Sequence, residues 1–162
     1  MRPEIVTSWD ATTRALRAAA PLTGPFPNAP FLQAWKSRFA KSDAETLIIR
    51  SADGALPIWI DGRTIRFQGD QDVTDYHAPL GSSLEPHMAL LGRRFSGFDF
   101  SFDSLPIEVR ERLLRALDQV AAKVAIRSHA AALILDLPTE PGAWLASLSK
   151  KHRHEVRRKQ RR

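Results

Sequence analysis

The sequence predicts one layered α/β (α+β) domain with a mixed, mostly antiparallel sheet flanked by helices. Three observations carry this. Segments of helical apolar spacing alternate with short β-rich runs. The middle of the chain strings β-rich runs together through tight SADG and DG turns, which favours hairpins over parallel crossovers. The stretch FDFSFD (98–103) alternates phenylalanine with polar residues at every step, as a half-buried strand does.

A first helix is expected from about Trp9 to Ala20, capped by Ser8 or Thr7 and ended by Pro21. PLTGPFPNAP, with four prolines in ten residues, fits neither a helix nor a central strand. It delivers a second helix, about Ala29 to Phe39, with Asn28 as cap and Pro30 in the first turn. Phe31, Trp35 and Phe39 then make one aromatic stripe, explained more simply by a core than by a cofactor. TLIIR (46–50), ALPIWI (55–60) and TIRFQG (64–69) read as three strands, and DVTDYHAPLG (72–81) as a fourth extended piece.

Ser83 is placed to cap a helix from about Glu85 to Phe95, with Met88 and Leu91 inward. After the strand at 98–103, Ser104 and Pro106 open a helix ending near Lys123. Its inner side holds Leu113, Leu114, Leu117, Val120 and Ala121. VAIRS (124–128) and AALILDL (131–137) read as strands, and a last helix starts near Gly142.

The 162 residues, 43% apolar, suffice for one core. Cysteine is absent, which excludes disulfides, thiolate metal sites and a cysteine nucleophile, and fits a reducing cytoplasm. MRPEIVTSWD lacks the apolar stretch of a secretory signal, and no run approaches the ~18 apolar residues of a membrane span. The net charge of +6 is not spread over the chain. SKKHRHEVRRKQRR (149–162) holds eight Lys/Arg against Glu155, a local +7, leaving the rest at −1.

That basic segment has four readings. A membrane-surface helix needs a broad apolar face, whereas stepping by fours from Trp144 meets Leu148, then His152, Val156 and Gln160. A nucleic-acid arm has the cations for phosphates, but only Gln160 suits base readout. Solvated charge is the third reading, and the first helix of a further domain the fourth. His152 and His154 point ~200° apart on a helix and so make no metal pair. There is no GxSxG elbow, and no two of the eight glycines lie closer than five residues, which excludes a Gly-rich pyrophosphate loop. No residue is singled out as catalytic from spacing alone.

Four stretches in register resemble one family. FPNAPFLQAW, TIRFQGDQDVTDYHAPLG, FDFSFDSLP and ALILDLPTEPGAWLASLSKKHRHEVRRKQRR are similar to segments of the CelD/BcsL-type acetyltransferases, a FemAB-like branch of the GNAT superfamily. Thr74 stands where that family's segment has Ser. The resemblance covers roughly residues 26–162. It implies a GNAT-like N-terminal domain over 1–141 and, over 142–162, a protruding basic helix. That helix leads toward a C-terminal acyl-donor-binding domain absent from this chain.

It also implies acyl transfer, commonly from acetyl-CoA, to an amine or hydroxyl, with no cofactor held by this chain itself. The partner implied is the C-terminal GNAT domain, in cis or trans. Asp75, Tyr76 and His77, outside a strand in DYHAP, and Trp35 are the acceptor-site candidates. A turn-capping carboxylate and a core ring are the competing roles for Asp75 and Tyr76. Lys150, Lys151, Arg153, Arg157 and Arg158 are anion-binding candidates, for a phosphorylated ligand or tRNA, against solvated charge or an interdomain contact. The alternative function is a non-catalytic module binding nucleic acid or other polyanions through its basic helix.

Overall fold

The computed structural model describes residues 2–20, 23–40, 44–69, 73–120, 123–127 and 138–161. The chain divides into two compact units, Met1–Ile126 and Arg127–Arg162. Each is described by itself.

The first unit is a mixed α/β layer structure around a mostly antiparallel open sheet. Its strands are β1 (Glu4–Val6), β2 (Glu45–Arg50), β3 (Gly54–Asp61), β4 (Thr64–Phe67), β5 (Leu80–Gly81) and β6 (Asp99–Phe100). The order is β1-β2-β3-β4-β6, with β5 paired to β3. All pairs are antiparallel except β4–β6. Helix α3 (Glu85–Arg94) lies between those two strands in sequence, providing the long connection that a parallel pair needs. β3 is buried from Gly54 to Ile60 because both of its faces are covered.

On one face Leu47, Ile49, Leu56, Ile58, Ile65 and Phe67 pack with Met88 and Leu91 of α3. Leu113 and Leu117 of α4 (Ile107–Asp118) complete that layer. On the other, Ile48 and Ala55 pack with Trp9 and with Ala29 and Leu32 of α2 (Ala29–Arg38). The period-2 strand pattern and the helical spacings thus supply two separate apolar layers.

Several elements differ from the sequence expectation. The first helix, α1, spans only Ala11–Ala15, and its cap is Asp10 rather than Ser8 or Thr7. The Asp10 carboxylate accepts from Thr13 N at 2.8 Å while Thr13 Oγ1 accepts from Asp10 N at 3.1 Å. Helix propensity in the following ALRAAA is overridden by backbone pairing, with Gly81 N donating to Arg17 O and Ala19 N to Pro79 O. In α2 the buried stripe is Ala29, Leu32 and Trp35, whereas Phe39 is 61% exposed.

Residues 73–79 form no strand, so the extended piece expected at 72–81 contracts to β5. The helix α3 is preceded by Leu84, not Ser83, as its N-cap. β6 keeps two residues of the expected 98–103, although Phe98, Phe100 and Phe102 do pack against the core. α4 ends at Asp118. Residues 124–127 carry no strand, with Val124 and Ile126 exposed, and the strand expected at 131–137 lies outside the described residues.

The second unit contains α5 (Pro141–Ser147) and α6 (Lys150–Gln160) where one continuous helix was expected. Leu148 is extended (ψ 151°), and Ser149 starts α6 by accepting from His152 N. The stepping-by-fours stripe from Trp144 is therefore cut after one step. Among the described residues no helix is long and apolar enough to cross a membrane.

Candidate functional site

The edge of β3 changes partner along its length. Ile58–Asp61 pair with β4, and Gly54–Ala55 pair with β5. Between the two, the chain leaves the sheet at Gly69 (φ +117°) and returns at Leu80. That excursion carries Thr74, Asp75, Tyr76 and His77.

His77 is 3% exposed and stacks on Phe67, rings 5.9 Å apart and 9° from parallel. Its backbone N donates to Ser104 O at 3.0 Å, tying the excursion to the segment after β6. Ser104 is the only non-glycine at positive φ (52°) among the described residues. That left-handed residue costs roughly 1–2 kcal/mol. It turns the chain so that Asp103 presents both oxygen types to the imidazole: Nδ1 lies 3.1 Å from Oδ1 and 3.2 Å from the backbone carbonyl. With two acceptors at Nδ1, the neutral ring keeps its proton there and Nε2 carries the lone pair.

Burial presses the Asp103 carboxyl upward. Hydrogen bonds from His77 and Ser104, with the charges of His77 and Arg66, outweigh that and hold it below its ordinary value. An anionic carboxylate behind an oriented imidazole is a pairing that general bases use, and here the remaining ring nitrogen, Nε2, is itself buried.

Of the residues expected at an acceptor site, His77 is at the centre of this arrangement. Asp75 beside it is exposed and Tyr76 half-buried. Trp35 is elsewhere: it packs edge-on against Trp59, ring centroids 5.8 Å apart, on the opposite face of the sheet from Phe67. Lys150, Lys151, Arg153, Arg157 and Arg158 are all on α6 in the second unit. Arg158 pairs with Glu155 at 2.9 Å, and Arg153 donates to Ala146 O at 2.8 Å.

Sequence reasoning missed Asp103. Asp103, 26 residues from His77, is brought in by the Ser104 turn, which nothing in the alternating FDFSFD signals.

A second buried histidine has the same residue types nearby but the wrong order. Ser51 Oγ donates to Asp53 Oδ1 at 2.9 Å, so toward His87 Nε2, 3.1 Å away, it can only accept. The serine proton is committed to the carboxylate and His87 cannot remove it. Hydrogen bonds from Ser83 first and Ser51 next hold the Asp53 carboxyl below its ordinary value. This trio locks the β2–β3 turn to α3. It does not make a nucleophile.

No family model, no curated protein and no solved structure matches the chain.

Proposed function

We propose that this chain is the N-terminal, acceptor-side half of a GNAT/FemAB-like N-acyltransferase, inactive in transfer by itself, with His77 as the base that deprotonates the acceptor. One observation carries it. Two of the four family-like segments, TIRFQGDQDVTDYHAPLG and FDFSFDSLP, meet in space at the Asp103–His77 hydrogen bonds. A mostly antiparallel sheet with helices on both faces suits a GNAT-like half. His77 Nε2 would take the acceptor proton, and Asp103 would hold the ring and stabilise the imidazolium.

The resemblance implies acetyl-CoA as donor, and the residues present do not fit it. The scattered glycines build no pyrophosphate cradle. Donor binding therefore falls to a second domain, in cis or trans. The cysteine-free composition supports a cytoplasmic setting.

The test is the intact mass of the product in its native cells, together with thiol release from acetyl-CoA in the presence of amines. A product larger than 18.1 kDa that consumes acetyl-CoA, and loses at least about a hundredfold in kcat with His77→Asn, supports the proposal. An 18.1 kDa product that consumes no acetyl-CoA with any partner from those cells rejects it.

The second reading, binding of nucleic acid or another polyanion, draws on α6. Lys150, His154, Arg157 and Arg161 follow helical spacing along one side, and Arg158 is the α6 cation with a carboxylate partner among the described residues. Removal of 149–162 should abolish such binding, and binding should collapse between low and moderate salt.

A further inference from the structure

On the sheet face opposite Phe67, a groove opens where the first strand stops short. β1 pairs with β2 only from Ile48 to Arg50, and after Val6 the chain turns away toward α1. Between residues 7–9 and α2 lies an open groove of about 450 Å³. Thr46, Ile48 and Gln68 form its floor, and Gln33, Lys36 and Ser37 of α2 form one wall. Strand alternation puts Thr46 and Ile48 on the face opposite Leu47, and Gln68 on the face opposite Phe67. The volume is within the roughly 300–1,000 Å³ of small-molecule sites.

The floor is polar where a sheet face beneath a helix is ordinarily apolar. Thr46 is 6% exposed and Gln68 4%. Gln68 spends both amide hydrogens on backbone carbonyls, Leu47 O at 3.0 Å and Ile58 O at 3.1 Å. Its amide is therefore pinned, and what it has left to offer is an acceptor oxygen. The Ser37 hydroxyl donates to Ala34 O at 2.8 Å, so it too can only accept. Lys36 is exposed and makes no ion pair among the described residues. None of the described residues that line the groove is a carboxylate.

The complement to this lining has two parts. Gln68 and Ser37 need hydrogens given to them, and Lys36 needs a negative charge. A simple carboxylate answers Lys36 but brings no hydrogens. An uncharged polyol brings hydrogens but leaves the ammonium unanswered. A hydroxylated anion does both.

We propose that this groove binds a sugar-sized polyol carrying one carboxylate or phosphate group. The anion sits on Lys36, and its hydroxyls donate to Gln68 and Ser37. The site is on the other sheet face from His77 and does not depend on the acyltransferase reading.

The experiment follows amide signals of the ¹⁵N-labelled full chain by NMR. Glucuronate, galacturonate and glucose 6-phosphate are titrated in separately, with glucose, acetate and inorganic phosphate as controls. The uronates and glucose 6-phosphate distinguish a carboxylate from a phosphate group. The expected result is saturable movement of the Gln33, Lys36 and Thr46 amides and the Gln68 side-chain amide with at least one anionic sugar. Glucose, acetate and phosphate should each bind at least about tenfold more weakly, the scale of a hydrogen bond to a charged group. Lys36→Met should reduce the anionic sugar to the affinity of glucose. Ser37→Ala should weaken the anionic sugar about fivefold and leave acetate unchanged. Both side chains are exposed, so neither change should move the urea midpoint of unfolding by much.

No saturable movement with any of the three anionic sugars overturns the proposal. Acetate or phosphate binding as tightly as the sugars also overturns it, because the groove then takes an adventitious ion only. So does an anionic sugar whose affinity is unchanged in Lys36→Met or in Ser37→Ala.

Discussion

His77 Nδ1 sits 3.1 Å from Asp103 Oδ1 although the two residues lie on different segments, 26 positions apart. The contact joins the excursion after β4 to the turn after β6. It also sets which imidazole nitrogen is free.

Asp103→Asn should therefore show in stability. The Asp103 carboxyl is held below its ordinary value of 3.8 when folded. A depressed carboxylate contributes stability that is present above the unfolded pKa and lost as pH falls through the folded one. At pH 7 the substitution should cost about 1.5–3 kcal/mol, the scale of a hydrogen bond to a charged group. The gap between the two proteins should narrow once pH falls below 3.8, so it should be smaller at about pH 2.5 than at pH 7. Urea unfolding of both proteins at the two pH values checks this, and an unchanged gap would show that the carboxylate charge is idle.

His87 gives the opposite residue type the same acid sensitivity. Burial lowers its pKa from 6.5 to about 4, and the nearby negative charges of Asp53 and Glu85 recover only part. The folded protein refuses a proton that the unfolded chain takes below pH 6.5. Stability is thus full above pH 6.5 and falls as pH drops toward 4, by roughly 3 kcal/mol at 1.36 kcal/mol per pKa unit. His87→Gln should flatten that slope while lowering stability at pH 7. A chain whose unfolding midpoint is constant from pH 7 to pH 4.5 would contradict the assignment.

The parts of the fold legible in the sequence are those where local pattern and tertiary need agree. TLIIR and ALPIWI are β-rich and end in turn residues, and they pair in the expected hairpin, Ile48 opposite Pro57 and Ile49 opposite Leu56. Where the two conflict, tertiary contacts win. The alanines after Ala15 favour helix, but the backbone around Ala18 pairs with Leu80 instead. FDFSFD alternates to its end, yet the left-handed Ser104 turns Asp103 toward His77. The site was half legible for the same reason. His77 stood out as an imidazole in a loop with a carboxylate and a phenol, but the carboxylate bonded to it is Asp103 and not the adjacent Asp75.

Gly81 and Gly62 both adopt positive φ, +70° and +61°, but only one is enclosed. A Cβ on Gly81 would meet the Asp53 carbonyl oxygen at 2.1 Å and Gly54 Cα at 2.9 Å, all backbone, whereas at Gly62 nothing lies within 4 Å. Gly62→Ala should cost about 1 kcal/mol, the left-handed penalty alone. Gly81→Ala adds a clash that only a backbone shift can relieve, and should cost about 3 kcal/mol or more. Equal urea midpoints for the two variants would show that the β3–β5 contact is looser than its geometry.

Ser149 decides where the basic helix begins. Eight cations in residues 149–162 repel one another and do not favour a helix on their own, and α6 buries no residue that would offset this. Its start depends on Ser149 Oγ accepting from His152 N at 3.3 Å, after Leu148 has broken the preceding helix. Ser149→Ala removes that acceptor and should cost the helix about 1 kcal/mol, whereas Ser149→Asp keeps a cap and adds a negative charge where the helix N-terminus favours one. Amide exchange at His152 and Arg153 should accelerate about fivefold in the alanine variant, the rate equivalent of that loss, and slow in the aspartate variant. If exchange at these amides is the same in all three proteins, the first turn of α6 is held by something other than its cap.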